Sequence, residues 1–518
     1  MGIRKKRKEM IAMKRLTILS LTIAFAMSTL AAAPVSFAAK NTDDDAIEVA
    51  ASYTEKDTSW FDYEAPKDTY EISTEAQLLG LASLVNENQV DKWKPTRIEN
   101  FDGVTFVLTK DIKLTGSWSP IGTGSASYFA GIFDGNGHTI SNLDIDSSSG
   151  PAGLFGYLVG EVKDLKVSGK IKSGDGSCGG IAGQLAPDAK ITGCTVDVSV
   201  SGKDKTGGIA GYSDGGIVES CINSGNISGT YKVGGIVGEN WGGSIIQCGN
   251  HGEIKSSKRG VATYGTGGVA GRSVSAESEI VRSYNYGIIL SDTEATGGIV
   301  GYTNAEGATV KDCYNSAEIR IVSKNTEEQI SKAYAGGVIG IVGTDGVIVS
   351  GCYNTGEILN ADVFGGVIGR YINDSDNYVK GNVYIKNNYY LSNQFKSGIG
   401  YMDNERDKTA SKAAMGVSTG SLSNLSSSLS VEYKNDTGVY GNGGYPVLVW
   451  QEPISEDEKV YIAYISREIQ QSLDEYLMKA SKSSQYGQNL VNFFTPANYM
   501  NDAMLLYNDA KEKHEQER

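Results

Sequence analysis

Between Gly179 and Gly369 the apolar residues come in short bursts set between glycines, and one five-residue phrase returns seven times. Gly179-Gly180-Ile181-Ala182-Gly183 is followed by close copies beginning at Gly207, Gly234, Gly267, Gly297, Gly336 and Gly365, with a weaker version at Gly153-Leu154-Phe155-Gly156. Equivalent glycines from Gly153 to Gly366 are 27, 28, 27, 33, 30, 39 and 29 residues apart. A period near 30 residues marks stacked repeats. Each phrase leads into a second one, aliphatic-x-x-Cys-x-Asn-x-Gly-x-Ile, as at Val218, Cys221, Asn223, Gly225 and Ile227. Ser283 replaces the cysteine in one repeat and Ala317 the glycine in another. The repeats hold no window long enough for an amphipathic helix, only two or three β-rich segments each. Short strands, tight corners and a period too short for a propeller blade predict an all-β protein, a parallel β-helix with one coil per repeat.

Stacking converts the repeat into columns, because strands of successive coils lie about 4.8 Å apart. Ile181, Ile209, Ile236, Val269, Ile299, Val338 and Val367 are predicted to form an inward aliphatic column, and Asn223, Asn250, Asn285, Asn315 and Asn354 a second one at another corner. Asparagine suits that place because it tolerates the left-handed conformation and its amide can bond the coils above and below. The paired glycines are expected to take positive φ or to pass close to neighbouring backbone.

The Gly-Gly-Ile-Ala-Gly units resemble those of GLUG-motif proteins, as does the lead-in Phe129-x-Gly131-x-Phe133-Asp134-Gly135-Asn136-Gly137-His138-Thr139-Ile140. These are bacterial secreted or surface proteins, and the motif also occurs ahead of the catalytic domain of some IgA-specific zinc metallopeptidases. The resemblance covers roughly residues 70–450. It implies a right-handed β-helix on the cell surface and assigns no catalytic residue.

Outside the repeats the pattern changes. Residues 1–38 read as a signal peptide: basic residues from Arg4 to Arg15, an apolar run from Leu16 to Ala33 and a small-x-small site at Ser36-Phe37-Ala38. Residues 39–70 are polar and read as a flexible mature N-terminus. Residues 71–100 hold a capping helix, predicted from Thr74 to Asn88 by the capping-box pair Thr74 and Gln77 and the apolar face of Leu78, Leu81, Ala82 and Val85. The β-helix is expected over 101–395, then a loop and closing strand over 396–453, the strand at Gly443 to Trp450. Residues 454–518 read as a helical tail, with Tyr461, Ile465, Ile469, Leu473 and Leu477 at helical spacing. The tail is open to two readings: a hairpin packed on the last coil, or a docking element for another chain or the cell wall.

Composition narrows the partners. With 65 glycines, nine prolines and 40% hydrophobic residues, the chain is a glycine-rich folded protein rather than a disordered one. Loss of residues 1–38 would leave 40 basic and 60 acidic residues, a formal charge of −20. Such a surface repels phosphate backbones and argues against nucleic acid as a partner. After signal cleavage no apolar run reaches the length of a spanning helix. The expected location is therefore outside the cell, either free or held non-covalently at its surface.

Candidate chemistry is sparse. Five of the six cysteines share one phase of the repeat, which predicts a column of buried thiols; bridges Cys194–Cys221 or Cys221–Cys248 remain within disulfide range. No metal set, no cofactor motif, no His-Glu-x-x-His string and no Gly-x-Ser-x-Gly elbow is present, so no catalytic residue is assigned. The aromatics carry the functional reading. Tyr284, Tyr314 and Tyr353 follow the cysteine phase and by alternation point outward; Tyr212 and Tyr302 follow the glycine phrase, and Trp241 lies in the same loop of its coil. Outward aromatics make flat surfaces for sugar rings or protein loops, though they also pack β-helix edges. The expectation is an adhesin-like module for an extracellular glycan or protein, with a β-helix polysaccharide lyase or hydrolase, or a structural spacer, as the alternatives.

Overall fold

The computed structural model describes residues 54–62, 64–87, 99–257, 263–322, 331–372, 385–403, 414–437, 440 and 442–453. They form a parallel β-solenoid built from sheets of eleven, sixteen, nine and six strands, plus one antiparallel pair. In the eleven-stranded sheet Ile191, Val218, Ile245, Ile280, Val310, Val349 and Ile385 pair one above the next, all but closed to solvent. These are the aliphatic residues three places before the cysteine phase. The all-β parallel solenoid expected from the repeat is the fold observed.

The glycine phrase forms a pinched corner. Its central aliphatic points into the core: Ile181, Ile209, Ile236, Val269, Ile299, Val338 and Val367 are all fully buried. Each N–H donates to the carbonyl of its counterpart in the next coil, from Ile181 to Ile209 at 3.0 Å through Val338 to Val367 at 2.9 Å. Positive φ plays no part, because none of the seven glycine pairs adopts it. Close approach is the whole reason for glycine here. A Cβ on Gly235 would lie 2.2 Å from the Gly268 carbonyl oxygen and 2.4 Å from Cγ of Asn250.

The asparagines form a buried amide ladder. Nδ2 of Asn223, Asn250, Asn285 and Asn315 donates at 2.8 Å to Oδ1 of the next asparagine, ending at Asn354. The amide also bonds the carbonyl two residues ahead at 2.9 Å in every rung, so both donors of Asn223, Asn250, Asn285 and Asn315 are paired. The left-handed corner falls elsewhere than expected. Asp164, Gly193, Ser220, Gln247, Arg282, Asp312, Gly351 and Asn387, each one residue before the cysteine phase, have φ between +50° and +67°. The asparagine is thus selected for its amide and not for its backbone conformation. All six cysteines are buried and free. In the repeat phase each thiol donates to backbone carbonyls, as Cys221 does to Ile191 at 3.6 Å and Glu219 at 3.2 Å.

The first rung begins earlier than the sequence pattern suggests. Strand Thr69–Ile72 pairs with Thr105–Leu108, and the helix α1, Glu75–Asn86, follows it. Thr74 Oγ1 accepts from the Gln77 N–H, while Gln77 Oε1 accepts from the Ser73 N–H, a capping box displaced by one residue on its return arm. Leu78, Leu81, Leu84 and Val85 are fully buried, and Trp60 stacks edge-on against Tyr70 and Phe106 to complete the cap. Gly80 is required there, since a Cβ would fall 2.0 Å from the Asp57 carbonyl oxygen.

The strand expected within Gly443 to Trp450 is present, at Val447–Leu448. Val447–Leu448 does not add a rung; it pairs antiparallel with Tyr433–Lys434 and lies against the flank of the solenoid. The last rung in register is instead Ala414–Val417, on Asn388–Leu391. The signal peptide, residues 39–53 and 63 of the polar N-terminus, and the helical tail lie outside the described residues. No helix among the described residues is long and apolar enough to cross a membrane.

Candidate functional site

The pinched corner sets the geometry of one flank. In the coil of Gly207 to Gly211, strand Asp204–Gly207 enters the corner and strand Ala210–Asp214 leaves it. A Cβ on Gly211 would meet the Cys178 nitrogen at 2.3 Å and the Lys205 oxygen at 2.7 Å, so the two arms nearly touch. Their outward side chains are forced together just beyond. Lys205 Nζ sits 4.2 Å from the Tyr212 ring centroid, within cation–π range.

The same meeting recurs up the flank with different residues. Tyr212, Glu239, Arg272 and Tyr302 pair in register in successive coils. Opposite Glu239 stands Lys232, and both are buried. Glu239 accepts from Lys232 Nζ at 3.3 Å and from Arg272 Nη1, and Lys205 Nζ lies 3.6 Å away. Lys232 Nζ also reaches Asp204 Oδ2 at 3.2 Å and sits 5.2 Å from the Tyr264 ring. Three cations thus surround one buried carboxylate and ring it with aromatic faces. Burial, then the charges of Asp214 and Glu239, push the Tyr212 hydroxyl up to about 12.

Trp241 lies two residues beyond Glu239 on the same strand and the same side, paired with Asp214 and Val274. It is 48% exposed, the one expected ligand-facing aromatic that stands open to solvent. Tyr212 beside it is half-buried. Together with Asp214 they form a platform in which ring faces adjoin a carboxylate and a set of cations.

The expected open tyrosine column does not exist. Tyr284, Tyr314 and Tyr353 do stack, with centroids 5.5 Å and 4.9 Å apart and planes within 12° and 2° of parallel. They also point away from the coil interior. Yet all three are buried, because the segment after the last rung folds back over them, packing Leu422, Leu429, Tyr433, Tyr445 and Leu448 on their faces. Their hydroxyls are taken up inside this cover: Tyr314 donates to Gln451 Oε1 at 2.8 Å, Tyr353 donates to the Pro446 carbonyl, and His251 Nε2 meets Tyr284 at 2.8 Å. Tyr302 is likewise buried, against Val274, Ala295 and Ile341.

Sequence reading missed Lys205, Lys232, Glu239 and Arg272. A signal was present: Lys205 and Lys232 stand three residues before the second glycine of their phrases, and Tyr212, Glu239, Arg272 and Tyr302 stand four after it. The constant offset placed them on one flank, while their differing chemistry hid the column. Among the described residues no group of three or more His, Cys, Asp or Glu is arranged to hold a metal ion.

The coils and this flank define a parallel β-solenoid repeat protein with a mixed aromatic and charged side wall. No family model matches the chain, so the resemblance to GLUG-motif proteins is carried by the motif residues alone. Halomucin of Haloquadratum walsbyi is 35% identical over 99 residues, which is 18% of this chain and 1% of that protein. The chain therefore spans only a small fraction of that relative's length. A solved structure from Bacteroides ovatus, provisionally described as an immunoglobulin A1 protease, aligns at 18% identity and a TM-score of 0.40 over 74% of this chain and 93% of that one. A likeness this distant carries no argument about the present chain.

Proposed function

We propose that this chain is a secreted or surface-displayed β-solenoid that binds an extracellular glycan or protein loop on the flank of Tyr212 and Trp241. The observation that carries the reading is Trp241, a large ring left open on a rigid strand beside Asp214 and above an ion-paired cluster. Sugar rings and protein loops both use such amphipathic faces, and a platform on strands loses little entropy on binding. The apolar cover over the other tyrosines supports the choice of this flank over the opposite one.

The test is a glycan array probed with the chain lacking residues 1–38, alongside the Trp241→Ala and Tyr212→Ala variants. A defined class of glycans should be retained by the parent, with Trp241→Ala weakening binding by about tenfold or more, the loss of a central aromatic anchor. Equal retention by parent and Trp241→Ala would sink the reading. The polysaccharide lyase or hydrolase alternative requires two carboxylates about 5–10 Å apart in a groove. Asp204 and Glu239 come close to one another across Lys232, but that ammonium engages both of them. Release of reducing or unsaturated ends in the same assay, abolished by Asp204→Asn or Glu239→Gln, would favour the enzyme. The spacer alternative predicts that no flank substitution changes binding at all.

A further inference from the structure

The flank column that begins with Tyr212 does not end at Tyr302. It runs on in register through Ile341 and Arg370 to Tyr401, on the last strand of the nine-stranded sheet, Ile399–Met402. The two ends of the column share a sequence, Tyr212-Ser213-Asp214 at one and Tyr401-Met402-Asp403 at the other. Each end therefore sets a tyrosine ring beside a carboxylate. A cation is repeated with them. Lys205 stands 4.2 Å from the Tyr212 ring, and the Arg370 guanidinium stands 6.0 Å from the Tyr401 ring and 5.1 Å from that of Tyr334, all within cation–π range. Asp403 then fixes the guanidinium, accepting from Nη2 at 2.9 Å and 3.1 Å and from Nε at 3.3 Å.

Exposure picks out the same two places. Trp241 is 48% exposed and Tyr401 46%, whereas Tyr302 and Ile341, which lie between them along the flank, are buried. Five strand steps separate Val237–Trp241 from Ile399–Met402, which is about 24 Å at about 4.8 Å per step. Two open rings thus stand on one straight wall, each beside a carboxylate and an engaged cation. Both are carried by strands, so their separation is set by the stack of coils.

We propose that Tyr401, with Arg370 and Asp403, is a second sugar-binding platform, and that the flank takes a neutral linear polysaccharide laid along the solenoid axis across Trp241 and Tyr401. The inference rests on the Trp241 flank binding a glycan. A compact protein loop that fills one platform gains nothing from the other, whereas a linear chain of sugars meets both. One strand step is close to the length of a single sugar residue, so rings set whole steps apart stay in phase with such a chain. Charge selects a neutral one. Arg370 is held by Asp403 and Lys205 lies 3.6 Å from Glu239, while Asp214 and Asp403 accept hydroxyl hydrogens and repel acidic sugars. Joining two weak platforms through one ligand multiplies affinity, because the second contact forms within a complex already made.

The experiment is calorimetric titration of the chain lacking residues 1–38 with matched trisaccharides and octasaccharides of cellulose, chitin, mannan and xylan, and with oligogalacturonates as the acidic arm. An octasaccharide is long enough to reach both platforms and a trisaccharide is not. For at least one neutral series, the octasaccharide should bind about a hundredfold or more tighter than the trisaccharide, with a single octasaccharide per chain. Tyr401→Ala should bring the octasaccharide down to the trisaccharide level while trisaccharide binding at Trp241 persists, and Tyr401→Phe, which keeps the ring, should retain the tightening. Octasaccharide binding that Trp241→Ala weakens and Tyr401→Ala does not, or affinity that does not rise with length, would overturn this inference and leave the Trp241 reading in place. Tightening confined to oligogalacturonates would overturn the neutral chain. Failure of every probe to bind, or binding indifferent to Trp241→Ala, would overturn both readings.

Discussion

At the scale of the residue, the two columns differ in what they demand. The aliphatic column needs volume. Ile299 is fully buried between Val269 and Val338, and its truncation leaves a cavity bounded by coils that cannot collapse independently. Ile299→Ala should cost about 2–5 kcal/mol in chemical denaturation, and a loss under about 1 kcal/mol would contradict a packed column. The asparagine column needs both amide atoms. Asn285→Ala strands the Asn250 donor and the Asn315 acceptor in a dry interior, and each orphan costs about 1–3 kcal/mol. It should therefore destabilise far more than an exposed Asn→Ala; an equal effect would mean that the ladder is incidental. Both columns were legible, because a fixed chemical type returns at a fixed phase. The left-handed corner was not. Ser220, Gln247, Arg282 and Asp312 share a backbone conformation and no side-chain chemistry, so nothing in their identity announces the turn. Gln247→Gly should relieve that conformation and raise stability by up to about 1 kcal/mol in the same assay, and a loss would show that the side chain matters more than the backbone.

At the scale of the element, the decisive piece is the segment that folds back over the tyrosines. It encloses Tyr284, Tyr314, Tyr353 and Tyr433, and burial holds all four hydroxyls well above the ordinary tyrosine value of about 10. A group whose pKa is raised in the folded state retains its full stabilisation below its unfolded value. That contribution is lost as pH climbs from about 10 toward the folded value. Stability should then be flat through neutral pH and fall steeply above about pH 10, with the buried tyrosines ionising only as the fold is lost. Absorbance at tyrosinate wavelengths, followed beside circular dichroism, reads this directly. Complete ionisation of all 29 tyrosines near pH 10 with the β signal intact would contradict the cover. Alternation along the strand correctly gave the direction in which Tyr284, Tyr314 and Tyr353 point. It carried no word of what lies beyond them, because Leu422, Tyr433 and Leu448 come from a stretch with no repeat phase to register against.

At the scale of the whole molecule, the glycine phrase joins architecture to surface. Its first two glycines let one coil settle on the next, and its third lets the two arms of a corner approach so closely that Lys205 and Tyr212 must meet. One flank is thus lined at regular height by whatever residues stand at two fixed offsets, so that Tyr212, Glu239 and Arg272 vary the chemistry on a constant frame. Substituting those outward positions should alter binding while leaving the unfolding transition nearly in place, the reverse of what the inward positions do. The frame itself rests on coils being interchangeable modules. Removal of residues 208–234 takes out one 27-residue period and joins Gly207 to Gly235 in phase. Removal of residues 208–221 takes out half a period and puts glycine-phase positions against cysteine-phase ones. Thermal unfolding of the two deletion variants is the most direct measurement. Stacked coils predict a cooperative transition and β-rich circular dichroism for the full-period deletion, and neither for the half-period one. Comparable behaviour of the two variants, folded or unfolded, would contradict the account.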